Sequence, residues 1–160
     1  MKRFLTVVSA LILIIAVLIT GMLTWRDFRD AAGLAKIEKE VEAKDQEIGG
    51  AAKDLYKGLL KGAGVDVSAS QFTIAGLVTG LATLLALAAL VLIFTAQYSK
   101  SNIIGLALII LSIIMIFVNP GYDTGLTGGA DSRTIAMVAG AFAIVGALGS
   151  LAVTKMRQKG

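Results

Sequence analysis

Residues 72–97 read FTIAGLVTGLATLLALAALVLIFTAQ, a stretch without one ionisable side chain. About 20 apolar residues in a helix cross a hydrocarbon layer of ~30 Å, so this segment alone reads as a transmembrane helix. Three further runs share its character: Phe4 to Thr24, Ile103 to Val118 and Thr134 to Thr154. The chain is therefore expected to be an all-α integral membrane protein, a four-transmembrane-helix bundle in a single domain of 160 residues. The spans fall at about 4–24, 72–97, 102–119 and 133–154. The third run would measure only about 24 Å at 1.5 Å per residue, so it is expected to recruit Ser101, Asn102 and Asn119.

Composition leads to the same class by a separate route. Hydrophobic residues make up 56% of the chain, and the mean hydropathy is +0.82; in water such a chain would expose patches large enough to aggregate. The formal charge of +4 is carried at the ends and in one short loop by Lys2, Arg3, Lys100, Lys155, Arg157 and Lys159. That distribution follows the positive-inside pattern and not a nucleic-acid patch. Both termini and the Lys100 loop are accordingly expected on the cytoplasmic side of a plasma or cytoplasmic membrane. Residues 25–71 and 119–133 are then extracytoplasmic. The first span begins like a secretory signal, but its apolar run is longer than a usual signal core and no small-x-small site precedes Trp25, so it reads as an uncleaved signal-anchor. Trp25, Tyr98 and Tyr122 stand where interfacial aromatic anchors belong.

The segment 25–71 is expected to be a helical excursion outside the membrane. From Arg26 to Ile48 there is no proline, and Leu34, Ile37, Val41 and Ile48 recur at helical spacing among polar residues. Arg26 and Asp30, Lys36 and Glu40, and Glu40 and Lys44 are pairs of opposite charge four residues apart, each worth about 0.2–0.5 kcal/mol on an exposed face. The first span can thus run on as one helix until Gly49-Gly50. A second short helix, residues 51–61, sets Lys53, Lys57 and Lys61 on one stripe and its leucines elsewhere. It either folds back as a hairpin, the favoured reading, or lies flat in the membrane interface. Leu34, Ile37, Val41, Ile48 and the three lysines are the candidate partner contacts. Ser68 or Ser70 is expected to cap the second span, and Asp131 with Ser132 the fourth.

Helix association in lipid depends on close packing of small residues. The second span offers Gly76 and Gly80. The fourth offers Ala136, Gly140, Ala143, Ala147, Ser150 and Thr154, alternately four and three apart, a continuous seam suited to a left-handed crossing. These two spans read as central, whereas the third, rich in isoleucine, reads as lipid-facing or as a docking surface.

Reactive chemistry is hard to find. Cysteine and histidine are absent, which removes disulfides, thiolate chemistry and ordinary zinc or haem ligation. No Ser/His/Asp set, paired carboxylates or phosphate-cradling glycine loop occurs, so no catalytic residue, cofactor or metal is expected. No ionisable group lies within a span, whereas proton-coupled carriers and voltage sensors need one. Hydroxyls in the spans are expected to bond back to a carbonyl one turn earlier, not to line a pore. The acidic residues Glu38, Glu40, Glu42, Asp45 and Glu47 read as a solvated helix face.

The arrangement resembles the tetraspan topology of the claudin and peripheral-myelin group, whose members act by lateral assembly. That group's first-loop tryptophan and paired-cysteine motif has no counterpart here: Trp25 is the sole tryptophan, and the resemblance is one of topology. The leading expectation is a non-enzymatic accessory or scaffolding subunit. It would sit in lipid with other membrane protein subunits or copies of itself and would have no nucleic-acid partner. The alternative is a small oligomeric channel or carrier for neutral or apolar solutes.

Overall fold

The computed structural model describes residues 2–48, 54–56, 58, 68–95, 98–121 and 130–158. Its regular structure is helical, and four helices are long and apolar enough to cross a membrane. They are α1 (Lys2–Ile48), α2 (Ala69–Thr95), α3 (Tyr98–Val118) and α4 (Ser132–Gln158). The 47 residues of α1 form one continuous helix about 70 Å long at 1.5 Å per residue, more than twice what a hydrocarbon layer requires. The third helix begins at Tyr98, five residues before the apolar run, so its 21 residues reach about 32 Å.

The helices pack as a ring: α1 on α2, α2 on α3, α3 on α4, and α4 back on α1. A lighter α2–α4 contact crosses the middle, and α1 and α3 do not meet. Sorting by size determines which faces turn inward. Buried positions are small: Ala16, Ala75, Ala82, Ala86, Ala89, Ala136, Ala139, Ala143 and Ala147. Exposed positions are large: Phe4, Leu18, Met22, Leu84, Phe94, Ile103, Ile110 and Phe117 among them. Large apolar side chains outside and alanine inside is the pattern expected where the surroundings are as apolar as the core, so that close approach and not burial decides packing. Leu13, Leu108 and Met115 fill the gaps the alanines leave.

The close crossing of α1 with α4 depends on two glycines. A Cβ at Gly146 would lie 2.8 Å from Leu13 Cδ2, and one at Gly149 would collide with the Ser9 hydroxyl. Gly140 plays the same part against α3, with the Ser112 carbonyl and Ile116 Cδ1 each 3.3 Å away. The start of α3 is tied to the end of α4 through hydroxyls, with Ser101 Oγ 3.2 Å from Ser150 Oγ and 3.1 Å from Thr154 Oγ1. Elsewhere the span hydroxyls bond back as the sequence indicates. Thr20 donates to Ala16 O at 2.8 Å, Thr83 to Thr79 O at 2.9 Å and Ser112 to Leu108 O at 2.7 Å.

Helix ends are closed partly by local residues and partly from a distance. Asp131 caps α4: Oδ1 accepts from the Thr134 backbone N–H at 2.8 Å and Oδ2 from the Thr134 hydroxyl at 2.7 Å. The two bonds hold the Asp131 carboxyl below its usual range. The cap's contribution to stability is thus present above the ordinary aspartate value and is lost as pH falls through the lowered one. Asp131→Ala is expected to cost about 1 kcal/mol, read as a lower unfolding midpoint at neutral pH that converges on the parent protein in acid. At α2 the closing group comes from another helix. Ser68 and Ser70 hydroxyls bond to each other at 2.7 Å, while Glu38 Oε1 on α1 accepts from the Ala69 backbone N–H at 3.1 Å. Glu38 therefore does not belong to a purely solvated face; it holds the α2 N-terminus, where a carboxylate is favoured by the helix dipole. Glu38 also lies near Tyr56, whose phenol is pushed up first by burial and then by that negative charge.

Candidate functional site

Just beyond the apolar run of α1 the chain reads Trp25-Arg26-Asp27-Phe28-Arg29-Asp30. Arg26, Asp27 and Asp30 are all buried, the two aspartates completely. Sequence reasoning treats Arg26 and Asp30 as an ordinary surface pair, and the structure corrects this. The helix continues without a break past Thr24, α2 and the start of α4 close over it, and the 26/27/30 face turns inward. Arg26 Nη1 donates to the Ala130 carbonyl, joining α1 to the α3–α4 connection. Asp27 meets α2 through Thr79 Oγ1, 3.4 Å from Oδ2, and Ser132 of α4 lies beside the same carboxyl. Thr24 Oγ1 is 3.1 Å from Thr79 Oγ1. The result is a joint of charged and hydroxyl groups where three helices meet.

Two residues flank this joint. Arg29 stays exposed and places its guanidinium 5.1 Å from the centroid of Trp25, a cation–π contact. Arg133 donates from Nε to the Asn119 carbonyl at 3.2 Å, and its backbone N–H bonds Pro120 O at 2.9 Å. A positive group thus sits over the last carbonyls of α3, where the helix dipole favours it. Asn119 Nδ2 closes the same end on Met115 O at 2.8 Å.

Next to the joint, on the outside of the α1–α2 contact, an open groove of about 440 Å³ is lined by Gly21, Thr24, Phe28, Gly76, Gly80 and Thr83, with Leu77, Leu81 and Leu84 on its wall. Among the described residues, no charged side chain borders it. The Phe28 ring closes one end, 3.2 Å from where a Gly76 Cβ would stand.

The sequence-predicted residues take the following places. Gly76 is buried and Gly80 partly exposed along α1. Ala136, Gly140, Ala143, Ala147, Ser150 and Thr154 are all buried inside the chain. The seam is therefore spent within the molecule and is not open to another one. Gly146 and Gly149, which make the closest approach, were not singled out by the spacing argument although both are visible as glycines beside it. Leu34 is also spent internally, packed with Ala31 against Phe72 at the start of α2. Ile37 is exposed and Val41 partly so. Trp25 is 58% exposed, as an interfacial anchor would be. Tyr98 opens α3. The side chain of Ile48, and Lys53, Lys57, Lys61 and Tyr122 altogether, lie outside the described residues. Among the described residues no three acidic side chains converge on a metal site.

Compared with family models, with curated proteins and with solved structures, the chain matches none.

Proposed function

We propose that the chain is a non-enzymatic polytopic membrane protein that serves as an accessory or scaffolding subunit, receiving an apolar helix of another membrane protein in the α1–α2 groove. The groove carries this reading. Its glycine floor admits close backbone approach, its leucine wall supplies dispersion contact, and its exposed lining is almost wholly apolar. The packing of the rest supports it by elimination. The small-residue seam of α4 is already occupied, and the centre is filled by Leu13, Ala86, Leu108, Ala143 and Ala147. The groove remains as an unfilled small-residue surface.

The orientation that accords with this reading puts both termini in the cytoplasm. Contacts of Ser9 with Gly149 and of Ser101 with Ser150 gather the start of α1, the start of α3 and the end of α4 at one end. Lys100 and Lys155 stand at that end too, in the positive-inside sense. The charged joint and the distal half of α1 are then extracytoplasmic. There the exposed face of α1 around Ile37 and Val41 is a second surface for the same partner.

Gentle detergent extraction, native mass measurement and crosslinking test the proposal. A defined heteromeric complex is expected, with crosslinks from Leu77 or Leu81 to the partner. Gly21→Leu should abolish the complex while leaving the monomer folded, because a Cβ at position 21 meets only Thr83 Cγ2 at 3.9 Å and the added side chain fills the groove. A monomer with no associated protein would sink the proposal. A closed homo-oligomer would instead favour a small channel or carrier for neutral or apolar solutes, which solute flux in reconstituted vesicles tests.

A further inference from the structure

The 11 acidic residues of the chain all lie in 27–66 and 123–131, that is, in the outer part of α1 and in the α1–α2 and α3–α4 connections. Among the described residues, the opposite end of the bundle carries Lys2, Arg3, Lys100, Lys155 and Arg157 and no acidic side chain. Such a distribution orients the chain during insertion, and it also leaves a permanent surface. The fold brings its members to one level. Leu13 packs on Gly146 and Ser9 on Gly149, so α1 and α4 run antiparallel, and the same register carried outward sets Arg3 opposite Lys155. Ser101 bonds Ser150 and Thr154, which sets Lys100 within a turn of that level. The side chains of Arg3, Lys100 and Lys155 are all exposed.

Immediately inside this ring of cations the surface turns apolar. Phe4 is 73% exposed, Ile103 71% and Phe94, near the end of α2, 65%. Cations at one level with large apolar side chains directly beneath them match a phospholipid, whose phosphate stands above its acyl chains. A free phosphate or the acidic face of a protein would satisfy the charge and leave the apolar part unexplained. At the other end Lys36, Lys39 and Lys44 share α1 with Glu38, Glu40 and Glu42, so no field of one sign builds up there.

We infer that this basic end binds the phosphate headgroups of anionic phospholipids in the adjoining leaflet, which bridge Arg3 on α1, Lys100 on α3 and Lys155 on α4. Like charges gathered at one level repel, and anionic headgroups turn that repulsion into a tie across three helix ends. Each basic side chain beside an anionic surface adds about fivefold to the affinity. The inference is independent of what fills the α1–α2 groove.

The test is the unfolding midpoint of the full chain in mild detergent micelles at one pH and ionic strength. The micelles are doped with phosphatidylglycerol or with phosphatidylcholine, or are left undoped with inorganic phosphate added. The midpoint should rise saturably with phosphatidylglycerol, by about 3–6 °C at tenfold the half-saturating fraction, and with neither of the others. Combined Arg3→Gln, Lys100→Gln and Lys155→Gln should raise the half-saturating fraction about a hundredfold and leave the midpoint in phosphatidylcholine unchanged, since all three side chains are exposed. Lys100→Gln with Lys155→Gln, expected to shift it about 25-fold, carries the comparison if the triple variant does not fold. Combined Lys36→Gln, Lys39→Gln and Lys44→Gln removes the same charge from the outer part of α1 and should keep the full rise. Equal midpoints in the two lipids, as an end reserved for an acidic protein would give, overturn the inference. A rise produced by inorganic phosphate alone would assign the site to a free anion and also overturn it, as would loss of the rise in both triple variants alike.

Discussion

Arg26→Ala is expected to destabilise the protein by about 3–5 kcal/mol, because it removes the positive member of a buried charged group that also holds the Asp27 and Asp30 carboxylates. The same substitution on an exposed helix face would cost a few tenths of a kcal/mol, so the measurement separates a joint from a surface pair. Reversible unfolding in mixed detergent, followed by the exposed Trp25 or by helicity, reads the difference. Arg26→Lys should recover only part of the loss. A lysine keeps the charge but lacks the planar fork that reaches the Ala130 carbonyl while still facing the carboxylates. A cost below about 1 kcal/mol for Arg26→Ala would mean that the guanidinium is solvated.

Gly149→Leu is the second large effect. A Cβ at this position would collide with the Ser9 hydroxyl and stand 3.0 Å from Ser9 Cβ. Neither helix can yield locally, since Gly146 meets Leu13 one turn away under the same constraint. The helices must separate, with loss of contact along the whole α1–α4 crossing and a cost of about 3 kcal/mol. Compensation makes the test specific. In a Gly149→Ala background, Ser9→Gly should restore most of the lost stability, because the Ser9 Cα lies 3.7 Å from the added methyl position, an ordinary contact. Failure of Ser9→Gly to rescue would show that the two helices do not cross at this point.

The two effects lie near the start and at the middle of α1, and together they describe how a 47-residue helix is held. Near its start it is gripped by size, through glycine against serine and leucine. Beyond Thr24 it is gripped by charge, through Arg26 and Asp27. Further on, Leu34 and Ala31 pack on Phe72, and Glu38 caps α2. Past the apolar run the helix is thus fastened to α2 for about four turns, as far as Glu38. Only its last turns are left for another protein.

Several features of this protein follow from residue order alone. Four apolar runs of sufficient length specify four helices, because in a solvent that offers no hydrogen bonds the backbone must satisfy itself. The proline-free segment from Arg26 to Ile48 specifies the continuation of α1, and Asp131 three residues before Thr134 specifies a cap; these depend on neighbours in sequence, so they are legible there. The size pattern of α4 is equally local: a row of alanine, glycine and serine marks a face that can approach something closely. What the row cannot say is which helix approaches it. Gly140 and Ser150 serve α3, while Gly146 and Gly149, on another side of the same helix, serve α1.

The fate of the charges was decided by tertiary structure alone. Arg26 and Asp30 have the spacing of a solvated pair, and Asp27 lies between them. Whether that face meets water or α2 and α4 depends on the angle at which α1 leaves the bundle and on how far the ends of its neighbours extend. No periodicity encodes those quantities. Burial turns the same three residues from a minor surface contribution into a joint whose substitution is expected to be costly, since removing water removes the medium that made their charges inexpensive.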